Sequence, residues 1–399
     1  SHAPPAVRRA AASALVRANP ERSIPLLIRA LGADDASVRD AVADGLGQAG
    51  PPALARTVTA LADPALETGA LHALEHLPAH QATPSIREHA RSSLARALYY
   101  HELARGIGGQ DDRAELLAAS LRDKAQECGL TALRAIALLG DRSSILVAIE
   151  NLASRSPGQR ANALETLESV GERSIIRPLL QVWEVTEAAP SESGDGVLRA
   201  LRDPDSWLRA CAALAARDLG DPPTRAALGE LAQSDPDSVV REAAASALDG
   251  SQAPASHPAL SRMERILFLR RVPLFADLAP ADLKRVSAIA AERSYPDGAT
   301  IARQGDLGDE MYIVVSGEIR VLARPDGGHE SELARRKAGE YVGEMAIISQ
   351  APRMASLVTA GETCILCIAQ GQFEQLLRER PEPRLAVMRM LCARLREKR

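Results

Sequence analysis

Along residues 1–249 apolar side chains recur at helical spacing, in stretches broken by short polar segments that open on Asp, Ser or Pro. That periodicity predicts a succession of amphipathic helices. The stretches also repeat. DPDSWLRACAALAA (203–216) and DPDSVVREAAASAL (235–248) stand 32 residues apart, and DDASVRDAVADGLG (34–47) has the same outline. LLGDRSSIL (138–146) and SVGERSIIR (169–177) are offset by 31, and RSIPLL (22–27) echoes RSIIRPLL (173–180). A helix pair of this size cannot bury its apolar stripe alone, so stacking of neighbours into an α-solenoid is predicted. Asp203 and Asp235 are expected to cap helix N-termini, with Pro204 and Pro236 at the first helical position. Gly140 and Gly171 are expected to end helices in the left-handed conformation.

The pattern changes beyond residue 249. TEAAPSESGDG (186–196) reads as a loop inside the helical region, and DGSQAPASHPALS (249–261) as a linker out of it. Helices follow at about 263–270 and from Pro280. Then come short alternating runs: TIARQG, EMYIVVSGEIRVLARP, ELARRKAGEYVGEM and SLVTAGETCILCIA, punctuated by glycines. Short strands with glycine turns predict an antiparallel barrel or jelly roll. Helices at about 371–379 and 383–398 close the chain. The predicted fold class is multidomain: a HEAT-like α-solenoid over 1–249, a linker over 250–262, and a β-jelly-roll barrel flanked by helices over 263–399.

Composition narrows the function classes. The 399 residues are 46% hydrophobic but only 3% aromatic, so the helices are expected to pack closely through Ala and Leu. A net charge of −4 gives no footprint for nucleic acid or an anionic membrane, and no nucleic-acid partner is expected. Five scattered cysteines fit a reducing compartment rather than a disulfide framework. Cys364 and Cys367 form a CxxC, but on a strand, where positions three apart face opposite ways, so they are expected to pack as thiols. No apolar run is long enough to span a bilayer, and the reading is cytoplasmic. His72 and His76 are spaced to share a helix face, but Pro78 interrupts the helix before His80 and no third ligand is placed beside them, so no metal site is expected. No nucleophile elbow, Walker loop or kinase signature is present, and no enzymatic activity is expected.

GEYVGEMAIISQAPRMASLV (339–358) carries the chemistry. Gly343 and Glu344 open a turn after a strand, and Arg353 follows nine residues after Glu344. A helix N-terminus offers free N–H groups to an anion, and Arg353 adds a planar, permanent cation suited to phosphate. Glu344 repels phosphate but suits a hydroxyl donor, and a ribose 2′-OH beside a 3′,5′-cyclic phosphate satisfies both side chains. This stretch resembles the phosphate-binding cassette of the cyclic-nucleotide-binding family: Gly-Glu, a short apolar turn, then Pro-Arg, a small residue, Ala and Ser or Thr. GDLGDEMYIVVSGEIRVL (305–322) resembles that family's strand pair, and LFADLAPADLKRVSAIA (274–290) its leading helices. The resemblance implies a site made of Gly343, Glu344, Met345, Ala346, Pro352, Arg353, Met354, Ala355 and Ser356. In it Glu344 takes the ribose hydroxyl, Gly343 allows close approach of the sugar, Arg353 holds the exocyclic phosphate oxygens, and the N–H groups of Met354 and Ala355 add to the phosphate site. Members that prefer cGMP commonly carry Thr after the Arg. Met354 has no hydroxyl there, so cAMP is the implied ligand. One of Met388, Leu391 or Leu395 on the last helix is implied as a cover for the base.

The helical repeats resemble HEAT repeats, in which an Asp caps the second helix and an Arg bonds to the adjacent repeat. Asp34 or Asp35 with Arg39, Asp203 with Arg209, and Asp235 with Arg241 fit, while residues 81–135 fit poorly. HEAT surfaces imply protein partners. A HEAT block ahead of a nucleotide-binding barrel, with RANALETLESVG (160–171), resembles the soluble extension of bacterial ATP/ADP-translocase-like transporter fusions. On that reading the chain, which starts Ser-His, regulates a membrane transporter part that is not in it. Two alternatives stand beside it: a free-standing HEAT scaffold that recruits partners in response to cyclic nucleotide, and a HEAT-type lyase-like enzyme with a regulatory barrel.

Overall fold

Proline opens many of the helices in the solenoid. Pro5, Pro20, Pro51, Pro157 and Pro222 each stand at a first helical position, where the missing N–H costs nothing. A computed structural model describes residues 4–33, 35–108, 111–152, 154, 156–183, 195–249, 260–324, 329–344, 352–379 and 388. Its helices run α1 Pro5–Ala18, α2 Pro20–Ala30, α3 Ala36–Ala49, α4 Pro51–Ala60, α5 Glu67–Leu74, α6 Thr83–Arg105, α7 Asp112–Ala137, α8 Arg142–Leu152, α9 Pro157–Val170, α10 Arg173–Leu180, α11 Asp195–Ala200, α12 Ser206–Ala215, α13 Pro222–Ser234 and α14 Ser238–Asp249. Contacts divide the chain into two units, Ser1–Leu103 with Leu121–Ala189, and Ala104–Ser120 with Pro190–Arg399.

In the first unit α1 packs on α3, α3 on α5, and α8 on α9. In the second α12 and α13 pack on α14. Alanines sit at the contacts: Ala43, Ala53, Ala70, Ala73, Ala212, Ala213 and Ala244 are fully buried, as close packing through small side chains requires. Gly69 marks a close backbone approach, since a Cβ there would stand 2.3 Å from the Leu31 carbonyl oxygen.

The repeat motif closes differently from its sequence reading. The caps are Asp205 and Asp237, whose side chains accept from the N–H of Trp207 and Val239, so the helices start two residues beyond the expected position. Asp203 and Asp235 instead accept from the N–H of Asp205 and Asp237, and Pro204 and Pro236 lie in that turn outside the helices. At the first repeat Asp35 caps α3 through Ser37 N–H, and Asp34 lies outside the described residues. Each motif Arg then reaches back six residues. Arg39 donates to Ala33 O at 2.6 Å, Arg209 to Asp203 O at 2.8 Å, and Arg241 to Asp235 O at 2.6 Å. Arg209 also makes a bidentate bond to Asp235 of the next repeat, at 2.7 and 3.0 Å.

Neither Gly140 nor Gly171 is left-handed. Gly171 is extended, with φ −93°, and a Cβ there would meet Ile176 Cγ1 at 2.3 Å. It is glycine because a side chain stands against it, not because the helix end needs a positive φ. Asp195 and Gly196, read as loop, begin α11, and a Cβ at Gly196 would lie 3.3 Å from the Gly106 carbonyl oxygen. Residues 186–194 of that loop lie outside the described residues, as do residues 250–259 of the linker.

The barrel begins behind α15 Arg262–Arg271, which carries a full capping box: Ser261 Oγ accepts from Glu264 N–H and the Glu264 carboxylate accepts from Ser261 N–H. Helix α16 Pro280–Ile289 leads into β1 Ala290–Tyr295, β2 Thr300–Ala302, β3 Glu310–Ala323, β4 Ser331–Lys337, β5 Tyr341–Val342 and β6 Ser356–Ala369, followed by α17 Gln370–Glu379. The sheet order is β1-β6-β3-β4, with β2 on β6 and β5 on β3, all antiparallel. The long strands β3 and β6 pair from Glu310↔Ala369 to Leu322↔Ser356. Their register shifts around Ser316, beside Gly317. Gly317 has φ +78°, and a Cβ there would stand 2.5 Å from the Glu362 carbonyl oxygen, so only glycine lets the strand bend. Inside lie Ala302, Tyr312, Val314, Ile319, Leu357, Ile365 and Cys367.

Cys364 and Cys367 are both buried, Cys367 in the barrel interior and Cys364 with its Sγ 3.5 Å from Glu292 Oε1 on β1. Burial pushes their thiols up to about 11 and about 12, which fits packing groups rather than metal ligands.

Candidate functional site

Three chain segments meet at the cassette. β5 ends at Val342, and the chain turns at Gly343, where φ is +92°. A Cβ at this position would stand 3.0 Å from the Glu310 carbonyl oxygen and 3.1 Å from Arg353 Nη1, so a side chain is excluded both by conformation and by space. Glu344 follows and is buried, 4% exposed. The third segment, residues 352–356, is clasped to the turn before β3. Arg353 N–H donates to Asp306 O and Gly305 N–H to Arg353 O, each at 2.8 Å. Ser356 Oγ accepts from Gln304 N–H at 3.0 Å, and Pro352 bridges to Leu307.

This clasp fixes the backbone of Arg353 while its side chain runs inward, 7% exposed. Nη2 donates to the Glu310 carbonyl oxygen at 3.0 Å and to the Tyr312 hydroxyl at 3.1 Å. The guanidinium carbon lies 5.0 Å from the centre of the Tyr312 ring. Among the described residues no carboxylate forms an ion pair with Arg353, and Nη1 and Nε have no acceptor. The Met354 and Ala355 N–H groups likewise have no acceptor among the described residues. Burial pushes the Tyr312 phenol up to about 12, against the lowering effect of Arg353, so the hydroxyl stays protonated at neutral pH. Its own proton faces Glu310 Oε2 at 3.5 Å, and Glu310 is held by Arg293 in a bidentate pair at 2.7 and 2.8 Å.

The structure therefore brings Gly343, Glu344 and Arg353 to one place, with Ala355 half-buried beside them. Met354 points out, 67% exposed, and Pro352 is exposed. Met345 and Ala346, and Leu391 and Leu395 of the expected cover, lie outside the described residues. Met388, the third cover candidate, is exposed. The support of Arg353 by Glu310 and Tyr312 goes beyond the sequence reading. No local sequence signal marks it, since Glu310 acts through its backbone carbonyl and Tyr312 meets a side chain from a distant part of the chain. What the arrangement can do chemically is hold an anion: among the described residues the buried guanidinium forms no ion pair, and the two backbone donors that follow it in the chain have no acceptor.

Comparison with known proteins finds two families along the chain. Residues 292–380 match the family model of the cyclic nucleotide-binding domain, and residues 1–75 and 182–249 match that of HEAT repeats. A cyclic AMP receptor protein of Thermus thermophilus is 36% identical over 125 residues, 31% of this chain and 58% of that protein. A cyclic nucleotide-gated potassium channel of Rhizobium etli is 40% identical over 111 residues, 28% of this chain and 30% of the channel. A cAMP-dependent protein kinase regulatory subunit of Blastocladiella emersonii is 30% identical over 121 residues, 30% of each chain. The chain thus spans less than two thirds of the length of these relatives. Among solved structures, the regulatory domain of Toxoplasma gondii PKA with cAMP aligns with a TM-score of 0.31 and 28% identity, over 34% of this chain and 50% of that one. The chain carries a C-terminal domain of the cyclic nucleotide-binding family, preceded by HEAT repeats.

Proposed function

We propose that the barrel binds a 3′,5′-cyclic nucleotide, cAMP in preference to cGMP, and that the chain is a sensor with no reaction of its own. The observation that carries this reading is Arg353: a buried guanidinium with no carboxylate partner among the described residues, set against Gly343 and next to the buried Glu344. An uncompensated buried charge costs several kcal/mol, and an entering phosphate offsets it. The ribose 2′-OH would then face Glu344, and the exocyclic oxygens would take the donors that Arg353, Met354 and Ala355 leave open. Met354 offers no hydroxyl to guanine, which supports the preference for cAMP. The bound state is expected to change how the barrel sits on the helices packed against it within the same unit. The output would pass to protein partners through the HEAT surface, with a fused or associated membrane transporter as the partner class that the sequence resemblance implies. Among the described residues no helix is long and apolar enough to cross a membrane.

Calorimetric titration tests the core of this reading. The wild-type chain should bind one cAMP and bind cGMP more weakly, and Arg353→Ala should lose about 2–4 kcal/mol of binding free energy. A 2′-deoxy analogue should bind the wild type less well than cAMP, and Glu344→Ala should erase that difference. A wild-type chain that shows no heat with either nucleotide, or an Arg353→Ala variant that binds as well as wild type, would defeat it.

A further inference from the structure

We propose that His72, Glu75 and His76 form a binding site for a divalent transition-metal ion, apart from the nucleotide barrel and within the first unit. Sequence spacing alone put two imidazoles one helical turn apart and placed no carboxylate beside them. In the folded chain Glu75 stands between them in sequence, and one ligand atom from each of the three residues lies within 4.8 Å of the others. Nδ1 of His72 is 3.4 Å from Glu75 Oε2, close to the separation of two ligands on one tetrahedral ion. The run His72-Ala73-Leu74-Glu75-His76 has the spacing with which zinc peptidases set two imidazoles on one helix face.

The surroundings are those of a ligand set rather than of loose surface groups. α3 lies against this turn and presents Asp40 and Asp44, one helical turn apart, to the two rings. Asp40 Oδ1 is 3.2 Å from His72 Nε2, the nitrogen on the far side of the ring from Glu75, and Asp44 Oδ1 is 3.6 Å from His76 Nδ1. A carboxylate on the second nitrogen of an imidazole fixes ring and tautomer and makes the first nitrogen a better ligand. Gly47, on the same face of α3, allows this contact, since a Cβ there would stand 2.7 Å from His76 Cβ. Two cations also face the cluster. Arg142 at the start of α8 donates to Glu75 Oε2 at 2.5 Å, and Arg9 of α1 pairs with Asp44 at 3.2 Å. The ion would share Glu75 with Arg142, using the carboxylate oxygen or lone pair that the guanidinium leaves. Two imidazoles, one carboxylate and a solvent position suit zinc and its neighbours rather than magnesium or calcium, which prefer oxygen ligands.

The test is titration of the full chain, stripped with a chelator, with zinc ion alone, followed by calorimetry and by thermal unfolding. One saturable equivalent and a rise in unfolding temperature are expected. The His72→Ala, His76→Ala double variant should lose both. Asp40→Asn, outside the ligand set, should keep the circular dichroism spectrum of the wild type and bind zinc about 10–100-fold more weakly. cAMP titration of the Asp40→Asn variant should match the wild type, which separates this site from the barrel. Absence of saturable zinc binding, undiminished binding in the double variant, or an unchanged affinity in a folded Asp40→Asn variant would each overturn the proposal.

Discussion

Arg353 is held from one side only. Nη2 is taken by the Glu310 carbonyl oxygen and the Tyr312 hydroxyl, while Nη1 lies against Gly343. Tyr312 thus aims the cation without neutralising it, and Arg293 braces the arrangement through Glu310. Tyr312→Phe keeps the ring under the guanidinium and removes one hydrogen bond, worth about 1 kcal/mol net. It should weaken cAMP binding about five- to tenfold in a calorimetric titration and leave the barrel folded by circular dichroism. Gly343→Ala should be harsher, since its methyl would meet Glu310 O at 3.0 Å in a conformation that costs a non-glycine residue about 1–3 kcal/mol. Both a lower unfolding temperature and loss of nucleotide binding are expected for it. At this scale the sequence made Gly343, Glu344 and Arg353 legible as one motif, and the fold sets Gly343 against Arg353 Nη1. The sequence did not reveal a role for Tyr312, whose part depends on a side chain arriving from forty-one positions away.

At the scale of the helix, the repeated Asp and Arg do more than cap. Arg209 ties its own turn through Asp203 O and reaches Asp235 of the following repeat, whose carboxylate also holds Asp237 N–H. Asp235 is therefore a junction, and this explains why the cap itself falls to Asp237. The Asp-Pro-Asp spelling offered two candidate caps, and sequence periodicity alone does not choose between them. The same limit applies to Gly171. A glycine at a helix end has two physical causes, a left-handed turn or an intruding neighbour, and only the position of Ile176 distinguishes them. The order of helices and strands was legible because burial repeats with a period that sequence displays; which group meets which across a turn was not. The Arg209 fork, opposed by burial and aided by the Asp237 amide, holds the Asp235 carboxyl below its ordinary value of 3.8. A depressed folded-state value means the pair stabilises the fold fully above 3.8 and loses that contribution as pH falls through the lower folded-state value. Arg209→Met should thus lower stability by roughly 2–3 kcal/mol near neutral pH, seen as a lower urea midpoint. The gap between wild type and variant should narrow below 3.8, whereas a gap independent of pH would assign the effect to packing instead.

At the scale of the molecule, the proposed sensing role requires a path from the barrel to the helical repeats. Within the second unit, polar contacts are among those that join the leading helices of the barrel to the helical repeats. Arg271 pairs with Asp112 at 2.5 Å and Arg270 with Glu115 at 3.0 Å, joining α15 to the first turns of α7. Lys284 of α16 lies 5.0 Å from the centre of the Trp207 ring on α12, and the Trp207 indole donates to Ser120 Oγ at 3.2 Å. Exposed ion pairs are worth about 0–1 kcal/mol each and a cation over a ring about 0.5–1 kcal/mol. Their sum is of the same order as the 1–3 kcal/mol by which two sites are commonly coupled. A ligand that binds one arrangement of the barrel only tens of times more tightly than another is thus able to break or remake this set. Trp207 sits at the junction and reports on it directly. Saturating cAMP should change the tryptophan emission of the wild-type chain, and Trp207→Phe should remove most of that change while leaving the calorimetric affinity as it was. High salt, which screens the ion pairs, should shift the emission of the ligand-free chain toward that of the bound one. If cAMP binds with full affinity and the emission of Trp207 stays the same, the helices next to the barrel do not move, and the nucleotide signal must leave the domain by another face.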